Sequence, residues 1–405
     1  MTSNLVAFSR YGLLPFLGLC ATIIFLETVP AESATYYVAT TGSDSNPGTS
    51  SSPWRNPQRC TASPIRAGDT CLVRSGTYGD TDRNGAVVWV MDRATTPSGT
   101  ASAPITIKSE KPLGAAIIAP SNMNGYGFLV SKPYYVIEGF DISGGNYSSS
   151  TGAGIGIYVT STGTGTIIRS NAIHHIGRSA CTNSDNGYAG IAARSVSGVL
   201  IERNRLYTIG RRKHGESGCT ATAANHDHGI YIKGASNTVI RRNVIYNMIQ
   251  GYPVHVYGLT ATNLNIYHNT FQGQNSAGAH ILLATSVKTA NIKNNTSSDA
   301  SLGMVRLYNL TASGVTVSYN LSSTTMRYGS ASGVTFSNNI EKTNPAFINK
   351  STYDFRLTSS SPVINRGTTS GVPVVPDGRP DSSAYEYSLE NNAASPLTPT
   401  GLRSS

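Results

Sequence analysis

The strings TIIRSN (166–171), LIERN (200–204), VIRRN (239–243), NIYHN (265–269), NIKNN (291–295), VTVSYN (315–320) and VTFSNN (334–339) decide the fold of this chain. They are variants of one pattern, apolar-x-apolar-x-x-Asn, and an earlier member, VIEGF, ends at Phe140. The closing positions Phe140, Asn171, Asn204, Asn243, Asn269, Asn295, Asn320 and Asn339 are 31, 33, 39, 26, 26, 25 and 19 residues apart. A repeat of about two dozen residues with insertions in its middle members is the mark of a solenoid, in which each unit buries its apolar face only against the next. Each Asn then falls at an equivalent bend, where its amide bonds the copies above and below and satisfies polar groups that a tight buried turn leaves over.

Working outward, a second strand begins at or near glycine between successive Asn positions: GIYV from Gly156, GIAAR from Gly190, GIYIKG from Gly229, PVHVYG from Pro253, GAHILL from Gly278 and MVRLYN from Met304. Two short alternating strands per unit, with Gly, Ser, Asn and Thr between them, predict an all-β protein with no helical periodicity. On GIYIKG, alternation turns Ile230 and Ile232 inward and Tyr231 and Lys233 outward. The same register predicts one outward column of Tyr158, Ala192, Tyr231, His255, His280 and Val305 or Arg306. A second column holds Thr160, Arg194, Lys233, Tyr257, Leu282 and Tyr308.

With these coils in place the chain resembles the right-handed parallel β-helix of the pectate-lyase-like superfamily. Its opening, Tyr36 to Trp54 followed by Ala67 to Tyr78, is similar to the N-terminal cap of secreted members, and Asp354 to Gly367 with Pro376 to Ser388 is similar to their closing segment. The resemblance implies a single-stranded β-helix domain over 34–388; residues 1–33 read as a signal peptide, and the tail 389–405, which has neither alternation nor apolar density, is expected to be disordered. It implies no one reaction, because this fold carries lyases, hydrolases, epimerases, esterases and binding proteins.

The signal peptide rests on Arg10, the apolar run Leu13 to Leu26 and the small-x-small site Ala31-Glu32-Ser33; a lipoprotein reading through Cys20 is weaker because bulky Leu19 precedes it. No later apolar segment is long enough to cross a bilayer, so no membrane partner is expected after cleavage. The whole chain of 405 residues carries +10, and without residues 1–33 it keeps 30 Lys+Arg against 19 Asp+Glu, a net +11. For a secreted, monomeric protein that surplus points to an acidic polysaccharide rather than nucleic acid. Four Cys then remain, with three possible connectivities; Cys60–Cys71 closes a short loop and Cys181–Cys219 joins loops on neighbouring coils.

The outward columns interleave aromatic and cationic groups, as a saccharide groove requires: rings stack on sugar faces and cations pair with uronates. Abstracting the proton α to a uronate carboxylate needs a neutralising cation, a base and an acid. Arg194 and Lys233 are the candidates for the first, and His228, Tyr231 and His255 for the others. Tyr158, Tyr257, His280, His226, Arg211 and Arg212 are the expected substrate contacts. The expected activity is metal-independent β-elimination, or the related C5 epimerisation, with no cofactor. The alternatives are glycoside hydrolysis through Asp185 and Asp227 and a non-catalytic carbohydrate-binding surface. Asp185, Glu202, Glu216 and Asp227 are too dispersed for a calcium cage, and His226, His228 and His214 lack zinc-site spacing beyond His-x-His. The Asn-Thr-Asp, Asp-Asp and Gly-His-Gly triplets of polygalacturonases are absent, although Asp227-His228-Gly229 resembles the last. His174 and His175 follow the Asn-bearing turn and read as structural or surface residues.

Overall fold

A computed structural model describes residues 33–121, 125–146, 154–222, 226–273, 277–372 and 379–387. The expected signal segment, but for Ser33, and the expected tail lie outside them.

Each middle coil lays down three strands where the sequence pattern predicts two. The coil built on Ala189–Arg194, Leu200–Glu202 and Arg205–Tyr207 is followed by one built on His228–Lys233, Ser236–Arg241 and Val244–Tyr246, and all three pairs run parallel. The third strand follows the ladder Asn directly and is often three residues long, too short for alternation to register in the sequence. The core is correspondingly three columns deep. Phe128, Ile157, Ile191, Ile230, Val254, Ile281 and Val305 form one and Ile137, Ile168, Ile201, Ile240, Ile266, Ile292 and Val317 a second, all fully buried. The third runs Ile142, Ile173, Leu206, Ile245, Phe271 and then turns polar at Ser297 and Ser322.

The asparagine ladder forms as expected. From Asn171 to Asn320, each Nδ2 donates to the Oδ1 of the next ladder member, through Asn204, Asn243, Asn269, Asn295 and Asn339, at 2.9–3.0 Å. The same oxygen accepts the backbone N–H of the ladder member below it, and Nδ2 also caps a strand carbonyl such as Ile168 or Ile201. The preceding residues Ser170, Arg203, Arg242, His268, Asn294, Tyr319 and Asn338 all have φ between 52° and 58°. A left-handed non-glycine residue costs about 1–2 kcal/mol, and the buried amide network offsets it. Asn243→Ala removes the Nδ2 donor to the Ile201 and Arg241 carbonyls and to Asn269 Oδ1, and the acceptor for both the N–H and the Nδ2 of Asn204, so it should destabilise the protein by about 1–3 kcal/mol; a urea midpoint unchanged from wild type would count against the ladder as a stabilising element.

Outside the ladder, Lys108, Glu138, Arg169, Glu202 and Arg241 stand in register with alternating sign, and Glu138 pairs with both Lys108 and Arg169 at 2.7 Å. Glu202 is thereby committed to Arg241. His174 and His175 are likewise structural: His174 lies 2.6 Å from Asp141 and stacks on Tyr207, which stacks on Tyr246. The C-terminal segment folds back over the third face, where Ser383 bonds Thr270, Ser382 donates to the Tyr319 carbonyl and Thr368 exchanges two bonds with Asn294. Both disulfides form with the expected partners, at Cα separations of 5.8 Å for Cys60–Cys71 and 5.6 Å for Cys181–Cys219.

Candidate functional site

Strand register brings the expected residues onto one outward face. Ala189 pairs with His228, Ala192 with Tyr231 and Arg194 with Lys233; one coil on, Tyr231 pairs with His255. Tyr158 and Tyr231 both pack against Ile155, Ala189 and Ala192, so the two alanines form a low floor between higher rings. A groove of about 660 Å³ opens there, lined by Arg194, His226, His228, Tyr231, Lys233, His255 and Tyr257 among the expected residues.

One wall is the loop 182–188, and two expected substrate contacts turn out to build it. Arg211 is 1% exposed: its guanidinium donates to the carbonyls of Thr182, Ser184 and Asn186 and to the carboxylate of Asp227, with Nη2 2.9 Å from Oδ1. Asp227, fully buried, also accepts the backbone N–H groups of Tyr188 and Arg211. Neither side chain reaches the groove, because an insertion that looks solvent-facing in sequence folds its charges under the loop. Arg212 similarly donates to the Ser179 and Ser217 carbonyls and does not line the groove. With Asp227 locked to Arg211, the Asp185/Asp227 pair of a glycoside hydrolase does not exist in this structure. Gly187 is required on the wall, since a Cβ there would lie 1.5 Å from the His226 carbonyl oxygen.

His280 is a second correction. Val254 pairs with Ile281 and His255 with Leu282, so the coil from Gly278 is two residues out of the expected alignment and the outward neighbour of His255 is Leu282. Ala284, not Leu282, pairs with Tyr308. His280 occupies the inward corner held by Gly156, Gly190 and Gly229 in lower coils, where a Cβ on Gly190 would press on Leu206 and Ile209. Its imidazole is fully buried, bonded to Ser297 Oγ at 2.8 Å and to the Gly273 carbonyl at 2.9 Å, and burial draws its pKa down to about 4. The polar turn of the third core column at Ser297 is what accommodates it.

The chemistry of the groove depends on the His228–His255 pair. Tyr252 donates its backbone N–H to His228 Nδ1 (3.2 Å), and His228 Nε2 lies 2.5 Å from His255 Nδ1. A neutral imidazole has one donor and one acceptor. His228 Nδ1 therefore carries no proton, Nε2–H donates to His255 Nδ1, and His255 holds its own proton on Nε2. Burial keeps His228 well below the usual histidine range and, with His226 adding to it, brings His255 to about 3. His228, with both ring nitrogens engaged, is thus a positioning residue rather than the acid or base expected of it, and neutral His255 is a hydrogen-bond donor. Tyr231, whose ring is 5.3 Å from that of His255, has its pKa raised by burial against the opposing pull of Arg194. Neither residue titrates near neutrality: burial takes His255 below the usual histidine range and Tyr231 above its ordinary value.

Among the described residues Arg194 and Lys233 form no ion pair, while Asp185, with 96% of its side chain exposed, is the one carboxylate lining the groove. A hard divalent cation needs several oxygen ligands, and these residues do not fit one. Sequence reading missed Tyr252 and did not single out Arg306; strict alternation from His255 turns Tyr252 inward with Val254, and only the corner before the strand brings it beside His228.

Residues 36–181 match the family model "Pel9A-like, right handed beta helix region", and residues 217–365 match "Right handed beta helix region". The chain is a right-handed β-helix protein. This β-helix protein is similar in structure to pectate lyase Pel9A (16% identity, TM-score 0.48, covering 88% of this chain and 97% of that one). It is also similar to a rhamnogalacturonan lyase (15%, 0.44, 78% and 91%) and to an alginate lyase from Paenibacillus sp. str. FPU-7 (15%, 0.37, 76% and 99%). The comparison with curated proteins gives no match.

Proposed function

We propose that this β-helix protein binds an acidic, uronate-containing polysaccharide in the Tyr231 groove and cleaves it by β-elimination. The observation that carries the reading is the groove's composition: Arg194 and Lys233, without ion pairs among the described residues, flank Tyr231 and His255 where carboxylates are nearly absent. Arg194 and Lys233 neutralise the uronate carboxylate and so acidify the proton next to it, His255 Nε2–H donates to the same developing negative charge, and Tyr231 takes the proton as phenolate. The phenol so formed returns it to the leaving glycosidic oxygen. Two disulfides support a secreted protein, in keeping with a cleaved 1–33 segment and one domain over 34–388.

On a panel of polyuronides, elimination raises both ultraviolet absorbance from the unsaturated product and reducing ends. Reducing ends without absorbance would mean hydrolysis, and neither signal would mean binding alone. The phenolate role also sets a pH dependence. Because the folded Tyr231 pKa is raised from its ordinary value of about 10, the active fraction grows with pH across the whole neutral range. Log kcat/KM should rise with a slope of about one between about pH 7 and 9; a flat or falling profile there would remove Tyr231 as the base.

A further inference from the structure

We propose that Arg306, with Tyr308 and Tyr328, forms a second acid-binding subsite, so that the groove's ligand is a run of consecutive acidic sugars rather than a lone uronate in a neutral chain. The proposal rests on the polyuronide reading and extends it along the helix axis. Arg306 continues the column of Tyr231, His255 and Leu282, and Tyr308 follows Ala284 in the neighbouring column. Three coils at about 4.8 Å each put Arg306 about 14 Å beyond the Tyr231–Lys233 coil, farther than one pyranose ring extends. Between the two charged ends lies a low apolar saddle of Ala279, Leu282 and Ala284 packed with Tyr252.

Arg306 is held ready and left uncompensated. Its Nη1 donates to Tyr252 Oη at 2.8 Å, and its guanidinium carbon sits 5.2 Å from the Tyr308 ring centroid and 5.7 Å from that of Tyr328. It has no ion pair with a described carboxylate, and its buried Nε–H finds no acceptor among the described residues. A buried donor without an acceptor is costly, and a planar cation between two rings is pre-organised to take a carboxylate side-on. Tyr257, Tyr308 and Tyr328 are each close to half exposed on this face, platforms of the kind a sugar ring covers. Tyr252 ties the two ends together, since its hydroxyl holds Arg306 while its backbone N–H fixes His228.

The test is calorimetric binding of oligogalacturonates and oligomannuronates of two, four and six residues, and of the carboxyl-reduced hexamers, at about pH 5, where uronates stay ionised. For wild type, the hexamer of one of the two series should bind at least about tenfold tighter than its dimer, and the reduced hexamer should lose that gain. Arg306→Gln should abolish the gain with length while leaving dimer affinity within about twofold, and Arg306→Lys should keep part of it. Matching melting temperatures tie the loss to the missing guanidinium. If Arg306→Gln binds the hexamer as wild type does, or weakens dimer and hexamer alike, the second subsite is wrong while the polyuronide reading stands. If wild type binds none of the charged oligomers, both fail.

Discussion

Tyr231→Phe should lower kcat/KM on the best polyuronide by two to four orders of magnitude, about the contribution of a positioned proton-transfer group, with little change in KM. The substitution removes one hydroxyl from a ring that packs against Ile155, Ala189 and Ala192, so the groove keeps its shape and the loss falls on the chemical step. His255 separates donor from base. The tautomer imposed by Tyr252 through His228 makes His255 a donor, so His255→Gln, which offers an amide N–H near the same place, should keep more activity than His255→Ala. Were His255 the base, the two variants would be equally dead. Arg194→Ala and Lys233→Ala should weaken binding of the charged substrate as well as turnover. Thermal melting of each variant completes the comparison, because a shifted transition would assign the loss to folding.

Asp227→Ala should have the largest effect on stability, about 3–5 kcal/mol, because it strands Arg211 as an unpaired charge in the interior. The pair is fully enclosed, and the Asp227 carboxylate takes the backbone N–H groups of Tyr188 and Arg211 as well as the guanidinium. Arg211 in turn holds the carbonyls of Thr182, Ser184 and Asn186, three residues of the groove wall. The variant should therefore lose activity together with stability. Arg211→Met paired with Asp227→Leu should recover part of the stability, since no buried charge is then left over, without recovering the wall. Chemical denaturation of the single and double variants measures this directly; a single variant within about 1 kcal/mol of wild type would mean that the pair is solvated in solution.

The helix itself was legible because its determinants repeat. Asn171 to Asn339 recur at one bend, and the Ile and Val positions before them fill one core column, so seven weak signals add up. The groove was legible as far as that register carried: Gly190, Gly229 and Pro253 start equivalent strands, which placed Arg194, Lys233 and Tyr231 correctly beside His255 and Tyr257. It failed at Gly278, where two extra residues put His280 in a corner otherwise kept by glycine; a glycine-led strand shows where alternation starts but not which residue makes the corner. Arg211 and Asp227 were misread for a different reason. They lie in or beside an insertion with no period, and their commitment to each other, 16 residues apart, is set by how the loop folds over the coil beneath. The role of His228 was hidden in a backbone N–H, that of Tyr252, which no side-chain pattern reveals.

A crystal structure of the Tyr231→Phe variant with a bound oligouronide tests the central claim most directly. The account predicts a sugar over Ala192 with its carboxylate within hydrogen-bond reach of Arg194 and Lys233 and the sugar chain running along the helix axis toward Arg306. An oligosaccharide bound on another face, or one in this groove with its carboxylate turned away from both cations, would contradict it.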